Sequence, residues 1–271
     1  MKARELRERI RNREVVLGYQ QFTPSPTITE LAGLAGFDFA WLCMEHGATG
    51  LGTDLEHLIR ACNATDMVPI VRITDIEHHI IQKSLEMGAK GLFIPRAKTA
   101  EDVRKAVEAT RFSDGGTRGY CPVSRAFWYG AAPATPQEMD DEVTIVVLVE
   151  TREIYDALDD ILAMPEVDCA FFGSADLSVS LGINDRFMQR DPEARAIIEE
   201  YRQRWMAACR QHGVAMGQIP ITAEDAVRLI DEGITVVGSM PDTGWFYRFL
   251  KGFTDPIKAY SAGRMRAAVA V

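Results

Sequence analysis

Short apolar runs alternate with longer segments in which apolar residues recur at i, i+3 and i+4, almost from one end of the chain to the other. A short run rich in Val and Ile suits a strand buried on both faces; the longer period suits an amphipathic helix. A charged helix is predicted first, at about residues 3–13. Eight strands follow from VVLGYQ (15–20), FAWLCM (39–44), VPIVRI (68–73), GLFIP (91–95), TIVVLVE (144–150), CAFFG (169–173), VAMGQIP (214–220) and TVVGSM (235–240). Helices are predicted between them at 27–36, 53–64, 77–88, 99–110, 152–164, near 193–211 and at 222–233, with a terminal helix containing GWFYRFLKGF. Gly88 is a stop signal for the helix at 77–88, and Thr99 with Asp102 makes a capping-box start for the next.

Eight strands, each followed by helix, predict an α/β fold: a single (β/α)8 TIM barrel forming one domain over residues 1–271. The alternative, a doubly wound open sheet, lacks its usual GxGxxG turn after the first strand. The segment at about 113–143 is too long for a plain connection and is expected to be a functional lid.

Composition narrows the class. A net charge of −9 with no Lys/Arg-rich block argues against a nucleic-acid partner, and means that an anionic substrate must meet locally placed cations. No apolar run approaches the ~20 residues needed to cross a bilayer, and the charged N-terminus lacks the apolar stretch of a signal peptide. Cys43, Cys62, Cys121, Cys169 and Cys209 are odd in number and form no CxxC pair. Neither a zinc knuckle nor a disulfide framework is expected, and a reducing cytoplasm fits best.

In such a barrel the active site lies at the C-terminal ends of the strands. His46, Arg72, Arg96, Glu150 and Asp176 all fall there, crowding one mouth with ionisable groups. Glu150 and Asp176 are 26 positions apart, about one βα unit, so adjacent strands would set the two carboxylates side by side. Such a pair repels unless a cation or a shared proton intervenes, and a hard divalent cation suits oxygen ligands. Each could instead merely cap the helix after it. Arg72 ends an otherwise apolar run and needs an anionic partner: a site carboxylate, a substrate carboxylate or a developing oxyanion. His46 stands where a general base is needed. His57, His78 and His79 lie on helices and His212 near a helix end; all four read as surface or packing residues, as does Glu86 taken by itself. Arg118 and Arg125 in the long loop are solvated or greet an acidic substrate from above.

The motifs MEHG after the second strand, VR at the end of the third, VET after the fifth and FFGSADLS after the sixth resemble the HpcH/HpaI family of class II pyruvate aldolases. The similarity extends from about residue 17 to about 240 and includes AGFD before the second strand and ATRF…TRG after the fourth helix. The resemblance implies the same barrel and a metal-dependent aldolase that forms or cleaves 4-hydroxy-2-oxo acids through the enolate of a pyruvate-type acid. It implies that Glu150 and Asp176 ligate a divalent metal (Mg²⁺, Mn²⁺ or Co²⁺) and that Arg72 binds the keto oxygen. His46 would be the acid/base with Glu86 as its carboxylate partner, and the backbone around Gly173, Ser174 and Ala175 would hold the substrate carboxylate. The chain departs from the family pattern at Cys43, Leu148 and Arg96, where aspartate, glutamine and no arginine are usual.

Two rivals remain at this point: a CoA-ester lyase of the malyl/citryl kind, for which no basic cluster for the phosphates stands out, and a non-catalytic barrel that binds a metal-chelated acid. The terminal helix carries Trp245, Phe246, Tyr247, Phe249, Leu250 and Phe253, more aromatic surface than one helix face usually hides. This predicts a homo-oligomer, and the resemblance implies a hexamer built from dimers.

Overall fold

The computed structural model describes residues 2–112, 115–131, 134–183 and 191–269, with side chains to residue 262. Eight strands form: β1 (Val16–Gln21), β2 (Phe39–Cys43), β3 (Val68–Arg72), β4 (Gly91–Ile94), β5 (Thr144–Val149), β6 (Cys169–Phe172), β7 (Ala215–Gln218) and β8 (Val236–Gly238). They pair in parallel and in sequence order, and β8 returns to β1 with Val16 opposite Val236, closing the barrel. The eight predicted strands and their order are those observed.

Strand parity decides which side chains enter the barrel, because successive residues point to opposite faces. Phe39, Trp41 and Cys43 alternate with Ala40 and Leu42, and Val146 and Leu148 with Ile145 and Val147. The first set in each strand meets inside the barrel; the second packs under the surrounding helices. The interior is aromatic. Trp41 stacks on Phe93 at 3.9 Å and 6°, and Phe171 meets both edge-on at 5.0 and 5.7 Å. Burying each Phe ring contributes about 1.5–3 kcal/mol. Glycines on neighbouring strands leave the rings their space: a Cβ on Gly18 or Gly217 would lie 2.2 Å from Phe39 or Phe171.

Helix α1 (Ala3–Arg11) plugs the base, with Ala3, Leu6 and Ile10 joining the interior cluster. Asp168 fixes the plug: its carboxylate accepts from Arg7 Nε at 3.0 Å and from Ile145 N at 2.8 Å, and it also contacts Arg11. Helices α2 (Pro26–Leu34), α3 (Thr53–Ala64), α4 (His78–Glu86) and α5 (Ala100–Thr110) follow the first four strands. The Thr99–Asp102 capping box is formed.

The long loop is not a lid over the mouth. It runs from the end of α5 to the start of β5, and helix-to-strand connections lie at the base of such a barrel. It contains a 3₁₀ turn (Arg125–Gly130) and helix α6 (Pro136–Asp141), and buries Phe127 and Met139 against Phe112. Residues 113, 114, 132 and 133 of this loop lie outside the described residues. Helices α7 (Leu158–Leu162), α8 (Ser174–Ser180), α9 (Pro192–His212) and α10 (Ala223–Asp231) follow the later strands, and α11 (Asp242–Val269) ends the described chain.

Candidate active site

The inward parity of β3, β5 and β6 continues past their last apolar residues. Arg72 is in step with Val68 and Ile70, Glu150 with Val146 and Leu148, and Gly173 with Cys169 and Phe171. All three therefore reach the layer above the aromatic interior. The Arg72 guanidinium stands 6.0 Å from the Trp41 ring centre. An apolar floor below and charges above is a low-dielectric setting in which each ionic contact counts for more.

Four groups meet there. Glu45 Oε2 pairs with Arg72 Nε at 2.5 Å, and Glu150 Oε2 accepts from Arg72 Nη2 at 3.2 Å. Glu150 Oε1 accepts from the backbone N–H of Arg96 at 2.8 Å. Arg96 holds that amide in place from a left-handed backbone, φ 50°, which is uncommon for a residue with a side chain. Its guanidinium Nε lies 3.6 Å from Glu45 Oε1. His46 is exposed at the rim with Nε2 3.9 Å from Glu45 Oε2, and its ring lies beside Phe22.

Glu150 is 2% exposed. Burial pushes its carboxyl up to about 7; Arg72 and the Arg96 amide oppose this, while Asp176 and Glu45 add to it. Asp176, in the first turn of α8, thus acts on Glu150 as a neighbouring negative charge. Three carboxylates face two guanidiniums in this layer, leaving an excess of negative charge that favours a cation. Gly173 packs closely on this carboxylate: a Cβ there would lie 2.7 Å from Glu150 Cβ and 3.0 Å from its Oε2. A hard cation matches this all-oxygen donor set.

Of the residues read from the sequence, Arg72, Glu150, Asp176 and His46 are brought to one mouth, with Gly173, Ser174 and Ala175 opening α8 beside them. Glu86 is not. Helix α4 carries the chain back toward the base, and Glu86, at its last turn, accepts from Arg118 Nη2 at 3.1 Å. Among the described residues no contact joins Glu86 to His46; Glu45 is the carboxylate beside that imidazole. Arg118 is buried and stacks on Phe112, and Arg125 donates to the Met87 carbonyl, so neither greets a substrate at this mouth.

Sequence reasoning missed Glu45, which touches Arg72, Arg96 and His46 together. The signal was its parity with Trp41 and Cys43. Gln20 was also missed. It is in step with Val16 and Gly18, and its buried Oε1 has no hydrogen-bond partner among the described residues. Cys43 and Leu148 both face the interior, and Cys43 Sγ lies 3.4 Å from the His46 amide.

A closed eight-stranded barrel with a carboxylate-and-guanidinium mouth is the framework of a carbon–carbon lyase of the aldolase kind. The chain belongs to the HpcH/HpaI aldolase/citrate lyase family, whose model matches residues 22–247. It is 30% identical over 245 residues to the 5-keto-4-deoxy-D-glucarate aldolase of Salmonella paratyphi C, covering 90% of this chain and 93% of that protein. It is 32% identical over 238 residues to the 2-keto-3-deoxy-L-rhamnonate aldolase of Escherichia coli K12, covering 88% and 86%. An HpcH/HpaI aldolase/citrate lyase family protein from Burkholderia cenocepacia J2315 superposes with a TM-score of 0.86 at 29% identity, over 94% of this chain and 99% of that one.

Proposed function

We propose that the protein is a divalent-metal-dependent aldolase that forms or cleaves 4-hydroxy-2-oxo acids, working on a pyruvate-type 2-oxo acid and an aldehyde. The observation that carries this reading is the buried Glu150, whose charge Arg72 and the Arg96 amide leave only partly compensated next to Asp176. Glu150 and Asp176 would hold Mg²⁺, Mn²⁺ or Co²⁺, which would supply Lewis-acid polarisation of the substrate oxo group. Arg72 sets its guanidinium where negative charge grows as a C3 proton leaves or the C3–C4 bond breaks. Glu45 and Glu150 grip that guanidinium from two sides, so its position is fixed before substrate arrives. His46, exposed at the rim beside Glu45, moves the proton of the 4-hydroxyl, directly or through water. The backbone of Gly173, Ser174 and Ala175 orients the substrate carboxylate. The CoA-ester lyase reading is weaker, since the curated relatives matched over most of their length are named as aldolases.

The assembly we propose is a homo-oligomer, with a hexamer the state that the resemblance suggests. Phe246, Phe249 and Phe253 of α11 are 64%, 72% and 68% exposed, and α10 buries none of its residues. The first turns of α11 are anchored: Trp245 lies beside Tyr19 and Phe37, and Asp242 accepts from the amides of Phe22 and Thr23. The free thiols, four of them buried, suit a reducing cytoplasm. No described helix is long and apolar enough to cross a membrane.

Exchange of pyruvate methyl protons with deuterated water tests the chemistry without any aldehyde. Wild type with Mg²⁺ or Mn²⁺ should exchange them, EDTA should stop it, and Arg72→Ala should slow it about 10²–10³-fold, the scale of a lost oxyanion donor. Lysine at this position should rescue only partly, lacking the planar fork. Absence of exchange in wild type with metal would overturn the aldolase reading in favour of a binding barrel.

A further inference from the structure

Two guanidiniums flank Glu45, and they are unlike. The Arg72 side chain is 6% exposed and faces Glu150 at the floor of the site. That of Arg96 is 60% exposed and stands further out at the rim. Its backbone is committed to the floor through the amide bonded to Glu150, so the side chain leaves from a fixed point above the reacting centre. Glu45 Oε2 is taken by Arg72, and Arg96 Nε meets only Oε1, at 3.6 Å. Among the described residues the Arg96 guanidinium makes no hydrogen bond, and its planar fork is open to a ligand.

A 2-oxo acid bound with its carboxylate and oxo group at the floor must direct its remaining carbons outward, past the rim. The exposed guanidinium beside Glu45 at that rim is Arg96. A guanidinium fork matches a carboxylate in shape and charge, and on a chain of net charge −9 a rim cation also draws an anion in. We infer that Arg96 is the specificity-determining residue for the far end of the substrate, and that the preferred 4-hydroxy-2-oxo acid carries a terminal carboxylate. Equivalently, the preferred aldehyde is itself an acid. The inference rests on the aldolase reading above and deepens it. A single guanidinium carries one positive charge, which a carboxylate balances and a phosphate dianion exceeds.

The test is the ratio of kcat/KM for cleavage of two 4-hydroxy-2-oxo acids of equal length, one ending in carboxylate and one in hydroxymethyl. A third compound ending in phosphate checks the class of anion. Wild type should favour the carboxylate, and Arg96→Met, which keeps length and removes charge, should reduce that preference about 10- to 100-fold. Arg96→Lys should retain part of it, and Arg96→Glu should reverse it. A preference in Arg96→Met equal to that of wild type, or a wild type that favours the neutral or the phosphate-ended compound, would overturn the assignment. Pyruvate proton exchange in wild type separates the two layers. If exchange is present but the ratio is insensitive to Arg96, this inference alone fails; if exchange is absent, the aldolase reading fails and this inference with it.

Discussion

The barrel holds a buried carboxylate at each end, and the two are treated differently. At the base, Asp168 is 2% exposed and its oxygens are met by Arg7, Arg11 and the Ile145 amide. At the mouth, Glu150 is equally buried but shares Arg72 with Glu45 and has Asp176 as a neighbour. The base carboxylate is met by two cations and a backbone donor; the mouth carboxylate is one of three acids that share two cations. Burying a charge costs several kcal/mol unless partners compensate it, so full pairing marks a structural role and incomplete pairing an unfinished site. The contrast is sharpened by what surrounds each group. Asp168 is closed over by α1, whereas Glu150 is met by Gly173, where any Cβ would crowd the carboxylate.

Substituting both ends should separate activity from stability. Glu150→Gln should lower kcat about 10³-fold or more, the several kcal/mol that a Lewis-acid site supplies, while leaving metal-free thermal stability equal or higher because a buried charge is removed. Asp176→Asn should behave in the same way. Either variant turning over at the wild-type rate would show that its carboxylate is not a ligand. Asp168→Asn should do the reverse. It strands Arg7 and Arg11 without a counter-charge and should cost about 3–5 kcal/mol in denaturant unfolding, with little change in kcat. If its stability matches wild type, the base is not the paired site described above.

The pH response should differ too. With the Glu150 carboxyl near 7, a proton competes with metal on the acid side. Metal affinity by titration calorimetry should weaken about tenfold per unit as pH falls below about 7 and level off above it. The metal-free protein should show the opposite trend. The Glu150 proton is held more tightly folded than unfolded, so its contribution is full below the unfolded pKa and is lost as pH rises through about 7. Glu150→Gln should flatten both profiles; unchanged profiles in that variant would place the titration elsewhere. The smallest effect expected is at α5, where Thr99→Ala removes the side chain that accepts from Asp102 N and should cost about 1 kcal/mol with no effect on catalysis.

Much of the site was legible because the barrel's own periodicity writes it. Arg72 and Glu150 interrupt apolar runs at the strand ends, where a charge has no structural excuse, and the Glu150–Asp176 spacing equals one βα unit. The same parity could have found Glu45 and Gln20, which continue the inward series of β2 and β1. His46 beside Glu45 is the more conspicuous residue and drew the attention. The lid expected of the long loop failed for a topological reason: a segment between helix and strand lies at the base, however long it is.

By itself the sequence determined the eight strands, their alternation with helices and, from these, the closed barrel. These depend on local period and on the requirement that a parallel strand bury both faces. Only the tertiary structure decided which charges pair. Glu86 goes to Arg118, Asp168 to Arg7 and Arg11, and Glu45 to both Arg72 and Arg96, across separations that no local pattern reports. It also decided that Arg96 takes a left-handed backbone, turning its amide to Glu150 and its side chain to the rim. Pairing of long side chains depends on a few ångströms of relative placement, and that placement exists only once the barrel has closed.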